Sequence, residues 1–161
     1  MKQATIDDRF MTSRLAPYLV AIIGIFEKIP PSLYLTLGRI VLAAVFFMSG
    51  QTKVEGFHLK DSTFYLFENE YALPLIPPVI AAYMATIAEH LLSFLLFIGL
   101  GARFAALGLF IMTAVIEIFV YPNEWVIHGL WATGLLVIMA KGAGVLSIDH
   151  LLRRRFGQIV D

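Results

Sequence analysis

Apolar residues in this chain come in long unbroken runs and not in alternation. Four runs fill residues 31–50, 78–98, 104–121 and 124–140. Each is close to the roughly 20 residues that a helix needs to cross a bilayer. Lipid cannot satisfy backbone amides and carbonyls, so a crossing segment is a helix or part of a closed barrel. Barrel strands alternate apolar and polar positions, and these runs do not, so they predict four helices. A shorter apolar run, residues 15–26, sits between Arg14 and Glu27-Lys28. It is too short to span. It predicts a helix over 14–28 lying in the membrane interface, broken from the first span by Pro30-Pro31. No small-residue cleavage pattern follows it, as a secretory signal would require.

The connections differ sharply in length. Residues 51–77 form a long polar stretch with Lys53, Glu55, His58, Lys60, Asp61, Glu68, Asn69 and Glu70. Connections longer than about 12–15 residues are more often functional or disordered. The interleaved Phe57, Phe64, Tyr65, Phe67 and Tyr71 argue that this one packs on the bundle or the headgroups. By contrast, Gly99-Leu100-Gly101-Ala102-Arg103 and Tyr121-Pro122-Asn123-Glu124 are tight turns, which make their flanking helices antiparallel neighbours. Ser147 reads as the N-cap of a last amphipathic helix, with Asp149 in its first turn and Arg153-Arg154-Arg155 near its end. The expected fold is all-α: a transmembrane four-helix bundle with an N-terminal interfacial helix and a short C-terminal amphipathic helix. It divides into 1–30, 31–141 and 142–161.

Composition strengthens the membrane reading. Of 161 residues, 59 % are hydrophobic and only 15 % charged, against about 25 % charged in soluble domains. The absence of cysteine excludes disulfides, thiol relays, cysteine-ligated metals and iron–sulfur clusters. Net charge is zero, but its distribution is not even. Of the twelve Lys and Arg residues, only Lys53 and Lys60 fall on the side of the long loop. The positive-inside rule therefore places both termini in the cytoplasm.

Five ionisable residues lie inside the apolar runs: Arg39, Glu89, His90, Glu117 and His128. A charge in hydrocarbon is costly and needs a partner or a pathway. Arg39 lies about 21 Å inward of Lys53 and Glu89 about 16 Å inward of Pro78, by the helical rise. Both then fall near mid-membrane, and a buried Arg39–Glu89 ion pair is expected, either as a structural clamp or in proton or ligand handling. Thr86, Glu89, His90 and Ser93 share one face of the second span. Glu117 and His128 lie at similar depths, about 6–8 Å below the turn that joins their helices, which predicts a hydrogen bond between them. A carboxylate beside an imidazole can exchange protons near neutral pH, so these two are the candidate catalytic pair. Interhelical packing, with Tyr121 and Trp125 as interfacial anchors, is the alternative. His90 and His128 differ in depth by about 10 Å, which argues against a haem bridge between them. No metal site is expected.

The order of motifs resembles the DoxX family. Leu37-Gly38-Arg39 opens the first span and Phe47-Met48-Ser49-Gly50-Gln51-Thr52-Lys53 closes it; Glu89 and the Gly99–Arg103 turn follow. Leu66-Phe67-Glu68-Asn69-Glu70-Tyr71-Ala72-Leu73-Pro74, Phe119-Val120-Tyr121-Pro122-Asn123-Glu124-Trp125 and Ser147-Ile148-Asp149-His150 are similar to one bacterial branch of it. The resemblance implies a multi-pass protein of the bacterial inner membrane. It implies a quinone-facing or anchoring subunit of a redox or metal-stress system. The lipid bilayer and a separate redox or metal-binding protein are the expected partners; homo-oligomers are compatible, and nucleic acid is not expected. Quinone is the implied cofactor, with no group bound covalently. Its headgroup would sit near Glu117, His128, Tyr121 and Trp131, with Gln51 and Lys53 closing the site from the first span. The competing reading is a non-enzymatic membrane scaffold or small-molecule transport accessory.

Overall fold

The computed structural model describes residues 15–157. Its elements are α1 (Ala16–Phe26), α2 (Pro31–Thr52), β1 (Val54–Glu55), β2 (His58–Leu59), α3 (Asp61–Leu66), a π-helical turn (Phe67–Tyr71), α4 (Pro78–Ile98), α5 (Ala102–Phe119), α6 (Trp125–Lys141) and α7 (Ile148–Phe156). Proline opens α2 and α4 at the first helical position, where its missing amide costs nothing. Gly99 and Gly101, both left-handed, reverse the chain between α4 and α5. Ser147 caps α7 by accepting from the His150 amide, as its position predicted.

The expected all-α membrane bundle is what the chain forms. Helices α2, α4, α5 and α6 close into a ring in which α2 packs on α4, α4 on α5, α5 on α6, and α6 back on α2. Three of them, α2, α4 and α5, are long and apolar enough to cross a membrane. Helix α6 is equally apolar but has 17 residues. The outward faces carry exposed large apolar side chains such as Ile87, Phe94, Phe104, Ile111 and Leu130. So much contiguous apolar surface is stable only in lipid. Helix α1 also leaves Tyr18, Ile25 and Phe26 uncovered, in keeping with an interfacial position. Arg14, which the sequence places at its start, lies outside the described residues.

The two ends of the ring differ. We call the end with Gly99, Arg103 and Lys141 the basic end, and the end with residues 51–77 the loop end. The dry core runs toward the basic end: Leu42, Phe46, Leu96, Ala105, Ala106, Leu109, Leu135 and Ile138 are all buried. Small residues bring the helices close there. A side-chain carbon at Gly108 would lie 2.6 Å from Leu92 Cδ1, and one at Gly134 would lie 2.8 Å from Leu42 Cδ1. At the loop end, residues 51–77 fold back onto the bundle. A small hairpin pairs Val54 with Leu59 and Glu55 with His58. Phe67 then packs with Ala81 and Ala82, flanked by Phe64, Tyr71 and Ile76. Of the loop aromatics, Phe64, Phe67 and Tyr71 pack against α4 as expected, whereas Phe57 and Tyr65 are exposed; the hairpin is an addition to the expected architecture.

Candidate functional site

The loop end encloses a cavity of about 640 Å³. Apolar side chains from all four ring helices form most of its wall, among them Phe46, Met84, Ile111 and Met112. Such a volume, mostly apolar with a few convergent polar groups, is the usual form of a small-molecule site. Polar groups enter from three directions: Lys53 with Glu89, His128, and Tyr71 with Tyr121.

Glu117 and His128 meet as their spacing predicted. His128 Nδ1 lies 2.6 Å from Glu117 Oε2. The carboxylate accepts, so Nδ1 carries the hydrogen. Nε2 then has no protein partner among the described residues, at a residue that lines the cavity. Trp131 stacks obliquely on the imidazole, with ring centres 5.2 Å apart, and Phe46 meets Trp131 edge-on at 5.5 Å. These contacts fix the ring's position. His128 is buried, while the Glu117 side chain keeps 29 % of its exposure. The pair thus links a buried nitrogen to a group that reaches the bundle surface.

The expected Arg39–Glu89 pair does not form. Glu89 pairs with Lys53: Nζ donates to Oε1 at 2.9 Å and lies 2.9 Å from Oε2. Ser49 Oγ also donates to Oε1, at 2.9 Å. Oε2 is held by charge alone, with no aligned hydrogen bond. Arg39 lies farther toward the basic end. It donates to the Leu96 carbonyl at 2.9 Å, to that of Phe97, and to that of Leu146 at 2.5 Å. The error was one of depth. Lys53, at the end of α2, meets Glu89, eleven residues into α4, so α2 ends about 16 Å below the level at which α4 begins. Taking Lys53 as a surface marker placed Arg39 too near Glu89.

Gln51 also departs from expectation. It does not line the cavity, and its amide nitrogen lies 2.9 Å from His90 Nε2. His90 Nδ1 lies 2.7 Å from the Thr86 carbonyl. The carbonyl can only accept, so the hydrogen is on Nδ1 and Nε2 accepts from Gln51. His90 is thereby held outside the cavity. Gly50 makes room for it, since a side-chain carbon there would lie 2.7 Å from the imidazole.

Tyr121 lines the cavity, and its hydroxyl donates to Glu70 in the π-helical turn. That hydrogen bond is the largest cause pushing the Tyr121 hydroxyl above the ordinary tyrosine range, with burial and Tyr71 adding to it. Burial also pushes the Tyr71 hydroxyl up; hydrogen bonding with Tyr121 opposes this, and the charges of Glu70 and Glu89 reinforce it. Tyr71 and Tyr121 meet edge-on, with centres 5.7 Å apart. Glu70 and Tyr71 belong to the loop motif already quoted, but no spacing along the chain singles them out from the other acids and aromatics there as partners of Tyr121. Ser49 could have been found: it stands four residues before Lys53 on the same helical face, and Lys53 Nζ donates to its oxygens at 3.1 and 3.2 Å.

The family model for DoxX matches residues 34–122. The chain belongs to the DoxX family. The matched segment runs from α2 through α5. It contains Lys53, Glu89, Glu117 and Tyr121, whereas His128 and Trp131 lie beyond it. An uncharacterized protein of Haemophilus influenzae is 30 % identical over 126 residues, covering 72 % of this chain and 81 % of that protein. No solved structure matches. The chain is thus a DoxX-family integral membrane protein with a polar-tipped apolar cavity at one end.

Proposed function

We propose that the loop-end cavity of this DoxX protein binds a quinone, that His128 exchanges protons with its headgroup, and that Glu117, which does not line the cavity, acts through His128. The observation that carries the reading is the pairing of an apolar volume of about 640 Å³ with an imidazole whose Nδ1 is held by a carboxylate. The residues fit such a ligand. The apolar wall suits an isoprenoid or ring face, while Lys53 Nζ and His128 Nε2 suit carbonyl or hydroxyl oxygens. Bound quinone would supply the electron-transfer chemistry, and the electrons would come from a separate redox or metal-binding partner. The chain's own part is acid–base. With its hydrogen on Nδ1, His128 can take a proton at Nε2 from a quinol hydroxyl; Glu117 steadies the ring's orientation and would stabilise the imidazolium so formed. Glu117, partly exposed, connects that proton to the surface.

The same reading places the protein in the bacterial inner membrane with both termini cytoplasmic, because Arg103, Lys141 and Arg153-Arg154-Arg155 gather at the basic end. Helix α6, about 26 Å long by its rise, serves as the fourth span with the adjoining turn. Residues 1–30, 31–141 and 142–161 are then the cytoplasmic start, membrane domain and cytoplasmic end. A scaffold or transport accessory is the second reading. It is favoured by the Tyr121–Glu70 and Lys53–Glu89 contacts, which fasten the loop end together through the chain's own side chains.

Tryptophan fluorescence tests the proposal, because Trp131 lines the cavity and Trp125 is exposed. In a Trp125→Phe background, decylubiquinone should quench Trp131 saturably. His128→Ala should abolish saturation. Glu117→Gln should weaken binding about tenfold, the worth of one charge-assisted hydrogen bond. Saturable quenching that survives unchanged in both variants would refute the role of the pair. Absence of saturation in the parent would leave the scaffold reading.

A further inference from the structure

The four seams between the ring helices are not alike at the level of the loop-end cavity. Lys53 and Ser49 hold α2 to α4 through Glu89. Phe46 and Trp131 close α2 on α6, and Glu117 and His128 close α5 on α6. The π-helical turn roofs the loop end, where Phe67 and Tyr71 line the cavity and Tyr121 fastens Glu70. Between α4 and α5, by contrast, no side-chain hydrogen bond or ring contact joins the two helices among the described residues. Small residues, Ala85 and Ala88 on α4 and Gly108 on α5, line the cavity there. Met84 and Ile111 also line it, yet they are 56 % and 55 % exposed on the outer face of the bundle. Side chains that border a cavity and also meet the surrounding medium stand at its mouth.

Depth shows which medium the mouth meets. Met84 lies about 9 Å below the start of α4 and Ile111 about 12 Å below the end of α5, by the helical rise. Ala88 and Gly108 follow at about 15 and 17 Å, level with Glu89. These depths span about half of a hydrocarbon core some 30 Å thick, so the mouth faces acyl chains. Leu92 shuts the seam deeper in, where it packs over Gly108. At the inner end the needs are polar: Glu89 is almost fully buried with no aligned hydrogen bond to Oε2, and His128 Nε2 has no protein partner among the described residues. We infer that the cavity takes its ligand sideways from the bilayer between α4 and α5, the polar headgroup reaching Glu89 and His128 and the apolar tail lying out past Met84 and Ile111. The ligand class is a membrane-dissolved amphiphile; a water-soluble one would have to displace the latched turn. This route rests on the quinone reading for the identity of the headgroup, and adds the place of the tail.

Acyl chains are as apolar as the seam, so a tail there gains position more than affinity, and the test must locate it. The full-length protein in phosphatidylcholine liposomes is irradiated with a ubiquinone whose saturated tail ends in a diazirine, with and without excess decylubiquinone. Adducts are placed by peptide mass spectrometry. Those lost on competition should fall on α4 and α5 around Met84 and Ile111. Ala88→Phe fills the seam and should lose them. Ile87→Phe adds comparable bulk on the lipid face beside the cavity, which Ile87 does not line, and should keep them. Melting temperatures establish that both variants fold; should Ala88→Phe not fold, the wild-type map decides alone. Competed adducts near Met48 on α2, or on the π-helical turn, would overturn this route and leave the quinone site standing. So would competed adducts at Met84 and Ile111 that survive in Ala88→Phe or vanish equally in both variants. Adducts on α4 and α5 that decylubiquinone does not diminish would show probe dissolved in lipid only. With no competed adduct anywhere, the quinone reading falls together with the route.

Discussion

At the basic end Arg39 donates to the carbonyls of Leu96, Phe97 and Leu146, whereas at the loop end Lys53 donates to a carboxylate, Glu89. Both cations are almost fully buried, but their surroundings have opposite consequences. Arg39 ties the last turn of α4 to the segment before α7. Nearby, Asp149 accepts the first amides of α5, and its own amide donates to the Gly99 carbonyl. Helix ends leave unsatisfied carbonyls at one terminus and amides at the other. At this turn a cation serves the first and an anion the second. At the loop end, Lys53 and Glu89 border an apolar volume and leave Oε2 without an aligned hydrogen bond. Arg39 too leaves one atom, Nε, without a hydrogen bond, but its Nη1 and Nη2 are spent on backbone carbonyls that fix the helix ends. A buried charge satisfied by another side chain at the edge of a cavity can be offered to a ligand.

Arg39→Ala should break this comparison most severely. It strips the donor from three carbonyls at a crowded turn, where a side-chain carbon on Gly99 would already lie 2.5 Å from Ser147 Cβ. The expected loss is about 3–5 kcal/mol, since three buried carbonyls lose their charged donor at about 1–3 kcal/mol each. Arg39→Lys should recover only part of it, since an ammonium cannot fork toward several carbonyls. Thermal unfolding in detergent measures both. Any ligand bound at the loop end should keep its affinity per folded molecule; a parallel loss of affinity would mean that the two ends are coupled.

The second effect is smaller and differs in kind. Lys53→Met alone leaves Glu89 buried and uncompensated and should cost about 3 kcal/mol. Adding Glu89→Leu should restore most of that stability, because a hydrophobic pair can replace a buried ion pair at little cost. A double-mutant cycle on melting temperature gives the coupling. If the double variant is stable yet no longer binds ligand, the pair belongs to the site. Should it bind as well as the wild type, the pair is only a clamp for the loop.

Tyr121→Phe should have the mildest effect. The Tyr121 hydroxyl is held protonated by Glu70, so its folded pKa lies above its unfolded value of about 10. A group shifted upward contributes stability that is complete below its unfolded pKa and is lost as pH rises toward the folded one. The wild type should therefore loosen in the loop above about pH 10, and the phenylalanine variant should not show that alkaline dependence. Hydrogen exchange of residues 67–72 between pH 8 and 11 would show it. An identical alkaline profile in both proteins would remove Tyr121 as the fastening.

Sequence alone determined the bundle because its signal is local. Lipid demands unbroken apolar length, and runs of apolar residues with proline and glycine at their ends declare it without any tertiary information. Glu117 and His128 were legible for a related reason: a four-residue turn forces their helices side by side, so depth counted from that turn is reliable. Ser147 as a cap was equally local. Arg39 and Glu89 were misjudged because their depth was counted from the ends of a 27-residue loop, and only the folded chain shows that this loop re-enters the bundle and carries Lys53 down with it. Gln51, Glu70 and Tyr71 follow from the same event. Long-range partners depend on where a long connection comes to rest, and that is decided by the packing of Phe64, Phe67 and Ile76 on α4, which no spacing along the chain encodes.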